Sequence, residues 1–434
     1  MKKVLLLVAA AAMSVSVSFA QVDDKEAAKA AKAAAKALKV EIREANKVLK
    51  EAQTALTAVD GNVDQANALI EIAMTNKHTA SNPDTWYTAG KIQNKYYDKE
   101  NEKMYLGQSY NQDKFFSSLS KMFDYFIVCD SLEQIPDEKG KVIAKYRPEI
   151  TDLLSRIRIN LVSGGVTYFN ADNNEKAFEL FGKYIDVADA PMFAQFNYAE
   201  TDSLMPEIAY YATLAGLKME DYNKALKYVD LAMNKADIAA KAIEYKALSY
   251  INLGDTANWI KTLKVGVEKY PEVQYFYSNL ISYYNTNGNT EDLMAFADEM
   301  LAKNPLPIFR FVKGFVFQNM SEYEKAIEEY KVAIEQDPNY IGAYRNLGIC
   351  YCQLAQNASD KMTNLNIKSK AYKEQKEVVT GYYRLALPIY EHLRKIDDGT
   401  DPDVRSAWTN GLYTCYYMLN MGKEFEEIEK IVNM

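Results

Sequence analysis

Four cysteines and two histidines stand among the 434 residues, so soft metal ligands and nucleophile–base pairs are scarce. The cysteines are Cys129, Cys350, Cys352 and Cys415. Cys350 and Cys352 lie two apart on a segment with helical periodicity, where their side chains point about 200° from one another. They cannot bond to each other there, and a diverging C-x-C without a nearby histidine is not a zinc site. Buried or half-buried free thiols are expected, with a Cys352–Cys415 bridge between successive helices as the alternative. His78 follows a helix in the polar turn NKHTASNPD, and His392 stands between Glu391 and Leu393, close to Arg394. Neither has a cysteine or a second histidine at ligand spacing, and both are expected to be solvated. No G-x-S-x-G elbow occurs. Gly164-Gly165 is not followed by the Gly-Lys-Ser/Thr of a phosphate loop. Acidic pairs such as Glu328-Glu329 have Lys325 and Lys331 beside them and read as solvated helix faces. These residues point to a non-catalytic protein, with no cofactor and no metal.

Charge and composition narrow the class. Lys+Arg number 51 against 59 Asp+Glu, a formal charge of −8, which speaks against a general nucleic-acid binder. With 25% charged and 48% apolar residues and only 11 Pro and 18 Gly, the chain is neither collagen-like nor disordered. Tyrosine is the outlier, 33 against 17 Phe and 3 Trp. The first twenty residues read as an export leader: Lys2-Lys3, an apolar run Val4–Met13, then Ser18-Phe19-Ala20 with small side chains at −3 and −1. Cleavage is expected before Gln21. No cysteine stands there for lipid attachment, and no other apolar stretch is long enough for a membrane span. A Gram-negative periplasm is the expected location, with secretion as the second choice.

A repeat organises the rest. Residues Phe309–Pro338 read FRFVKGFVFQNMSEYEKAIEEYKVAIEQDP, with Gly314, Phe317, Ala326, Tyr330, Ala333 and Pro338 at offsets 0, 3, 12, 16, 19 and 24. The next unit opens with Tyr344, Leu347, Gly348 and Tyr351, and Gly314 to Gly348 is a 34-residue period. The pattern resembles the tetratricopeptide repeat (TPR), a helix–turn–helix unit with Gly-x₂-Tyr, then Ala-x₃-Phe, then Pro. Helix A must approach helix B at Gly314 and Ala326, Phe317 and Tyr330 fill the space beside that contact, and Pro338 ends helix B.

Further units are less regular. Tyr277, Leu280, Tyr284, Gly288 and Pro305 mark one; Ala247, Tyr250, Gly254 and Pro271 another; Tyr222, Ala225 and Ala232 a third; Gly165, Tyr168, Ala177 and Phe181 a fourth. Trp86, Ala89 and Gly90 open another, with Phe115–Cys129 as its second helix. Ala386, Tyr390 and Leu393 complete the Tyr344 unit, and Ala407–Val432 closes the array. Three insertions break the period: polar Asn94–Lys114, apolar Asp186–Met205 and Lys-rich Asp360–Thr380. Before the repeats, Lys25–Ala58 is rich in Ala, Lys and Glu, with Asp23 or Asp24 as cap and Gly61-Asn62 as stop. Leu38, Ile42, Ala45, Leu49, Ala52, Leu56 and Val59 form a heptad seam on it. This helix is expected to cap the first repeat, with coiled-coil oligomerisation as the alternative. Val63, Ala66, Ile70 and Ala73 start the next helix. The expected order is a leader at 1–20, a long helix and capping helix at 21–82, divergent units with insertions at 83–205, and the array at 206–434 with an insertion near 360–380.

The resemblance implies an all-α, right-handed TPR solenoid of about eight helix pairs in an exported bacterial protein. It implies a scaffold that binds a protein or peptide segment, here in envelope complex assembly. The alternative is a glycan- or ligand-binding TPR-like component of an outer-membrane uptake system. In the family, helix A lines the concave side. The corresponding positions here are Tyr275 in one unit, Phe311, Phe315, Gln318 and Asn319 in the next, and Arg345, Ile349 and Gln353 in the third. Aromatic anchors beside side-chain amides and one arginine suit an extended segment. The family's Lys and Asn pair for a terminal carboxylate is missing, so carboxylate capture is not expected. Three tripeptides, Asp130-Ser131-Leu132, Asp202-Ser203-Leu204 and Asp255-Thr256-Ala257, resemble an O-glycosylation acceptor of one Gram-negative phylum. Helix capping is the plainer reading of each.

Overall fold

The computed structural model describes residues 24–58, 61–287, 289–303 and 305–432. The leader, Asp23, Val59 and Gly288 lie outside the described residues. The described chain is α-helical, without strands, and forms a helical-repeat solenoid. It divides into two compact units, one ending at Asp221 and one beginning at Tyr222.

In the first unit, α1 (Asp24–Thr57) and α2 (Val63–Thr75) lead into the repeats. Asn62 caps α2 by accepting from the Gln65 amide. The C-terminal half of the α1 seam packs as expected: Ala45, Leu49 and Ala52 are buried, and Leu49 and Ala52 lie against Ala66, Ile70 and Ala73 of α2. The N-terminal half does not, for Leu38 and Ile42 remain 46% and 38% exposed.

Then come α3 (Pro83–Tyr105) and α4 (Gln112–Glu133), α5 (Arg147–Ile157), α6 (Ile159–Asn170) and α7 (Asn174–Asp186), a short α8 (Tyr198–Thr201), and α9 (Met205–Lys218). The second unit holds α10 (Tyr222–Ala232), α11 (Ala236–Asn252), α12 (Thr256–Lys269), α13 (Gln274–Asn287), α14 (Thr290–Lys303), α15 (Pro307–Asn319), α16 (Tyr323–Gln336), α17 (Ile341–Asp360), α18 (Lys370–Ile396), α19 (Pro402–Met418) and α20 (Gly422–Val432).

The glycine contact recurs, with a partner different from the expected one. The residue lying on Gly314 is Tyr330, not Ala326: a Cβ built on Gly314 would stand 2.6 Å from the Tyr330 ring. Gly348 meets the Tyr390 ring in the same way, at 2.6 Å, and Gly90 and Gly165 meet Phe126 and Phe181. Each of these four A helices thus carries a notch into which an aromatic of its helix B is pressed. This accounts for part of the aromatic content.

A second regularity is in the backbone. The turns after several A helices hold one residue at positive φ: Asp172, Glu220, Gly254, Ser321 and Asn420. The next amide then reaches back to the A helix, as Asn173 N to Tyr168 O, Asp255 N to Tyr250 O and Glu322 N to Phe317 O. This is the Schellman closure, which satisfies carbonyls that a helix end would leave unpaired. Only one of these five positions is glycine, so the turn was hard to recognise from residue types.

Two insertions are mostly not loops. Asn94–Tyr105 continues α3, because nothing in it breaks a helix, and the turn is confined to residues 106–111. Tyr97 and Glu100 are buried on that extension, with Tyr97 stacked on Phe115 at 4.7 Å. From Asp360 the chain turns through residues 361–369 and then enters α18 at Lys370. The apolar insertion folds back as expected: Met192 and Phe193 are buried, and Thr151 donates to the Met192 carbonyl at 3.5 Å. Arg158, at the break between α5 and α6, pins it. Its guanidinium lies 3.7 Å from the Tyr184 ring centre and 4.2 Å from that of Tyr198, donates to the Tyr184 carbonyl, and pairs with Asp202.

The histidines are less solvated than expected. His78 is half-buried with Nε2 3.3 Å from Glu41. His392 stacks on Tyr344 at 4.4 Å. Each rests against a neighbouring element, which its imidazole faces allow. Among the described residues no helix is long and apolar enough to cross a membrane.

Candidate functional site

The sequence-derived positions fall on three A helices of the second unit: Tyr275 on α13; Phe311, Phe315, Gln318 and Asn319 on α15; and Arg345, Ile349 and Gln353 on α17. The spacing i, i+4, i+8 on α17, and i, i+4, i+7 on α15, puts each set on one stripe of its helix.

The structure separates these residues into engaged and uncommitted ones. Phe311 is engaged: its ring lies 5.7 Å from Tyr330 and 5.3 Å from Tyr340, and its edge borders Gly342. It packs α15 against α17. Gln318 accepts a 2.7 Å hydrogen bond from the Tyr330 hydroxyl, which also receives one from Asn346 at 3.2 Å. Tyr275 is half-buried and edge-on to Phe276 at 5.7 Å; burial, with help from Glu244, pushes its phenol above the usual range. Gln353 donates to Asn357 of its own helix at 3.3 Å. Asn319 ends α15 and is exposed. The remaining three differ. Phe315 is half-buried outside both hydrophobic clusters of the unit, Arg345 is half-buried with no ion pair among the described residues, and Ile349 is 37% exposed. An apolar ring, a cation and an aliphatic side chain can take an apolar residue and a carboxylate or backbone carbonyl of a segment laid across them.

Sequence reasoning missed a second feature. A cavity of about 530 Å³ opens at the inter-repeat turns, lined by Tyr277, Tyr340, Ile308 and Pro307 with Glu272 and Asp337. Burial holds both phenols above their usual range. Of the prolines that mark the turns in the sequence, Pro271 lines it.

The three glycosylation-like tripeptides have structural duties at their acidic residue. Asp130 is buried in an ion pair with Arg147, Asp202 pairs with Arg158, and Asp255 caps α12 by accepting from Asn258 N at 3.1 Å.

The family model described as TPR repeat matches residues 319–354, which run from the end of α15 through α16 into α17. The chain therefore carries a tetratricopeptide repeat within the solenoid built above. No curated protein matches the sequence. Among solved structures, a TPR repeats protein from Bacteroides fragilis is similar at 19% identity and TM-score 0.33, covering 58% of this chain and 97% of that one. The C-terminal part of a TPR repeat-containing protein from Cytophaga hutchinsonii is similar at 15% and 0.32, covering 61% and 92%. YrrB, described as a TPR protein with an unusual peptide-binding site, is similar at 15% and 0.22, covering 57% and 93%.

Proposed function

We propose that this protein is a non-catalytic TPR scaffold that binds an extended peptide or protein segment along the A-helix stripes of residues 307–353. The observation that supports it is the uncommitted trio Phe315, Arg345 and Ile349 on two adjacent A helices. Because Phe311 is part of the packing, the informative variant is Phe315→Ala with Arg345→Ala. Immobilised residues 21–434 are incubated with envelope extract of the source bacterium. Proteins retained by the parent should be lost from the double variant, an affinity drop of about tenfold or more, with little change in melting temperature. Equal retention by both overturns the stripe assignment.

The scaffold acts in the periplasm, in assembly of an envelope complex. The order of Lys2-Lys3, Val4–Met13 and Ser18-Phe19-Ala20 supports export. N-terminal analysis of the protein from its native host should begin at Gln21; retained Met1 in a cytosolic fraction overturns it.

A second reading, a glycan- or ligand-binding component of an outer-membrane uptake system, draws on the cavity at Tyr277 and Tyr340. Ring faces beside carboxylates suit a sugar. Retained carbohydrate that survives the double substitution would favour it.

A further inference from the structure

The sequence offers two glycine–cysteine steps of equal length: Gly348 to Cys352 on α17, and Gly411 to Cys415 on α19. Four residues is about one helical turn, so each cysteine sits on the same face as its glycine. Both glycines face one side chain. A Cβ on Gly348 would stand 2.6 Å from the Tyr390 ring, and one on Gly411 would stand 2.5 Å from it. The ring of α18 is thus clamped between α17 and α19, and both cysteines lie one turn along from the clamp. Tyr390 is buried, and its hydroxyl is 3.9 Å from the Cys352 sulfur. Gly411, one turn before Cys415, lies on the same ring, and both cysteines belong to one packed cluster, close enough for each thiol to shift the ionisation of the other.

We infer that Cys352 and Cys415 are a disulfide-forming pair that ties the α19–α20 pair to the α17–α18 pair. This inference does not depend on what the stripes bind. The two residues differ in access: Cys352 is half-buried, whereas Cys415 is fully buried. The neighbouring Cys415 thiol and the Tyr390 hydroxyl favour the Cys352 thiolate, and the same arrangement disfavours ionisation of Cys415. Cys352, the more exposed of the two, is the sulfur that meets an incoming oxidant. The oxidant is a small-molecule disulfide, RSSR. The Cys352 thiolate attacks one sulfur of RSSR and releases one RS⁻, which takes up the proton Cys352 lost. Cys415 then gives up its proton and attacks the Cys352 sulfur, displacing the second RS⁻, which is protonated in turn. One sulfur–sulfur bond is made within the protein, one is broken in the oxidant, and two RSH leave. Cys350 takes no part, because it faces away from Cys352 on the same helix and burial pushes its thiol up to about 12.

The gain is mechanical. The α19–α20 pair is thinly packed on its outer side, where α20 buries only Ile428. A link from α19 to α17 holds that pair in place from its inner edge.

The test uses residues 21–434 incubated with oxidised glutathione, then denatured in excess alkylating reagent and mapped by mass spectrometry. The expected result is that two of the four thiols are alkylated, one peptide pair joins Cys352 to Cys415, and melting temperature rises by about 5–10 °C until reductant is added. In Cys352→Ser all three remaining thiols should be alkylated before and after oxidant. Four alkylated thiols in the parent, a bond that includes Cys350 or Cys129, or a glutathione adduct on Cys352 with Cys415 still free would each overturn the inference.

Discussion

Gly314→Leu lowers the melting temperature of the unit formed by residues 222–434 by about 5–10 °C, and Gly314→Ala lowers it by less. Overpacking a close contact costs about 1–3 kcal/mol or more, and a unit of this size loses a few degrees per kcal/mol. The first methyl group already meets the Tyr330 ring at 2.6 Å. That ring has little room to yield. Tyr330 is fully buried, Phe311 lies 5.7 Å from it, and its hydroxyl is fixed by Gln318 and Asn346. A control of opposite sign comes from the same unit. Gly381 lies within α18 with nothing within 4 Å of a built Cβ, so Gly381→Ala should stabilise by about 0.5–1 kcal/mol through helix propensity. Thermal melts of the three variants check both signs. A Gly314→Leu melt that overlays the parent would mean that Tyr330 is not seated on this glycine.

Arg158→Ala should be the most damaging single change in the first unit, at about 3–5 kcal/mol. Arg158 is only 4% exposed. Its guanidinium donates to the Tyr184 carbonyl at 2.8 and 3.2 Å, pairs with Asp202, and lies between the Tyr184 and Tyr198 rings. Its removal leaves Asp202, 11% exposed at the side chain, without its cation. The Tyr184 hydroxyl still donates to Asp202 at 2.7 Å, but a neutral donor does not replace a buried charge partner. Arg158→Lys should lose most of the same stability, because an ammonium cannot stack between two rings while donating through a planar fork. Denaturant unfolding measures the loss. Limited proteolysis locates it, with faster cleavage at residues 187–204 in Arg158→Ala. Unchanged cleavage there would mean that the insertion is held by Met192 and Phe193 alone.

Much of the solenoid was legible in the sequence because a repeat writes its contacts into short, fixed offsets. Gly314, Tyr330 and Pro338 lie at separations set by one helix, one turn and the next helix, and the separation of 16 recurs between Gly165 and Phe181. The same reasoning put Val63 at the start of α2 and buried Ala66, Ile70 and Ala73. It failed where the spacing was interrupted. Phe126 plays for Gly90 the part that Tyr330 plays for Gly314, yet 36 residues separate the pair. The lengthened α3 supplies the difference, and a fixed offset cannot find a partner across a helix of variable length. The candidate site shows the same division. The resemblance to the repeat placed Phe311, Phe315, Arg345 and Ile349 on their stripes. Only the packing of α15 on α17 decided that Phe311 is taken up by Tyr330 and Tyr340 while Phe315 is not.

By itself, then, the sequence determined the helices and their period, because these depend on neighbours within about one repeat. The tertiary structure decided that Tyr330 and not Ala326 seats on Gly314, and which side chains meet over longer and irregular separations, such as Arg158 with Asp202 and Gly90 with Phe126. Such meetings depend on how far each inserted helix extends before it turns, and residue types fix that length only through the packing they find.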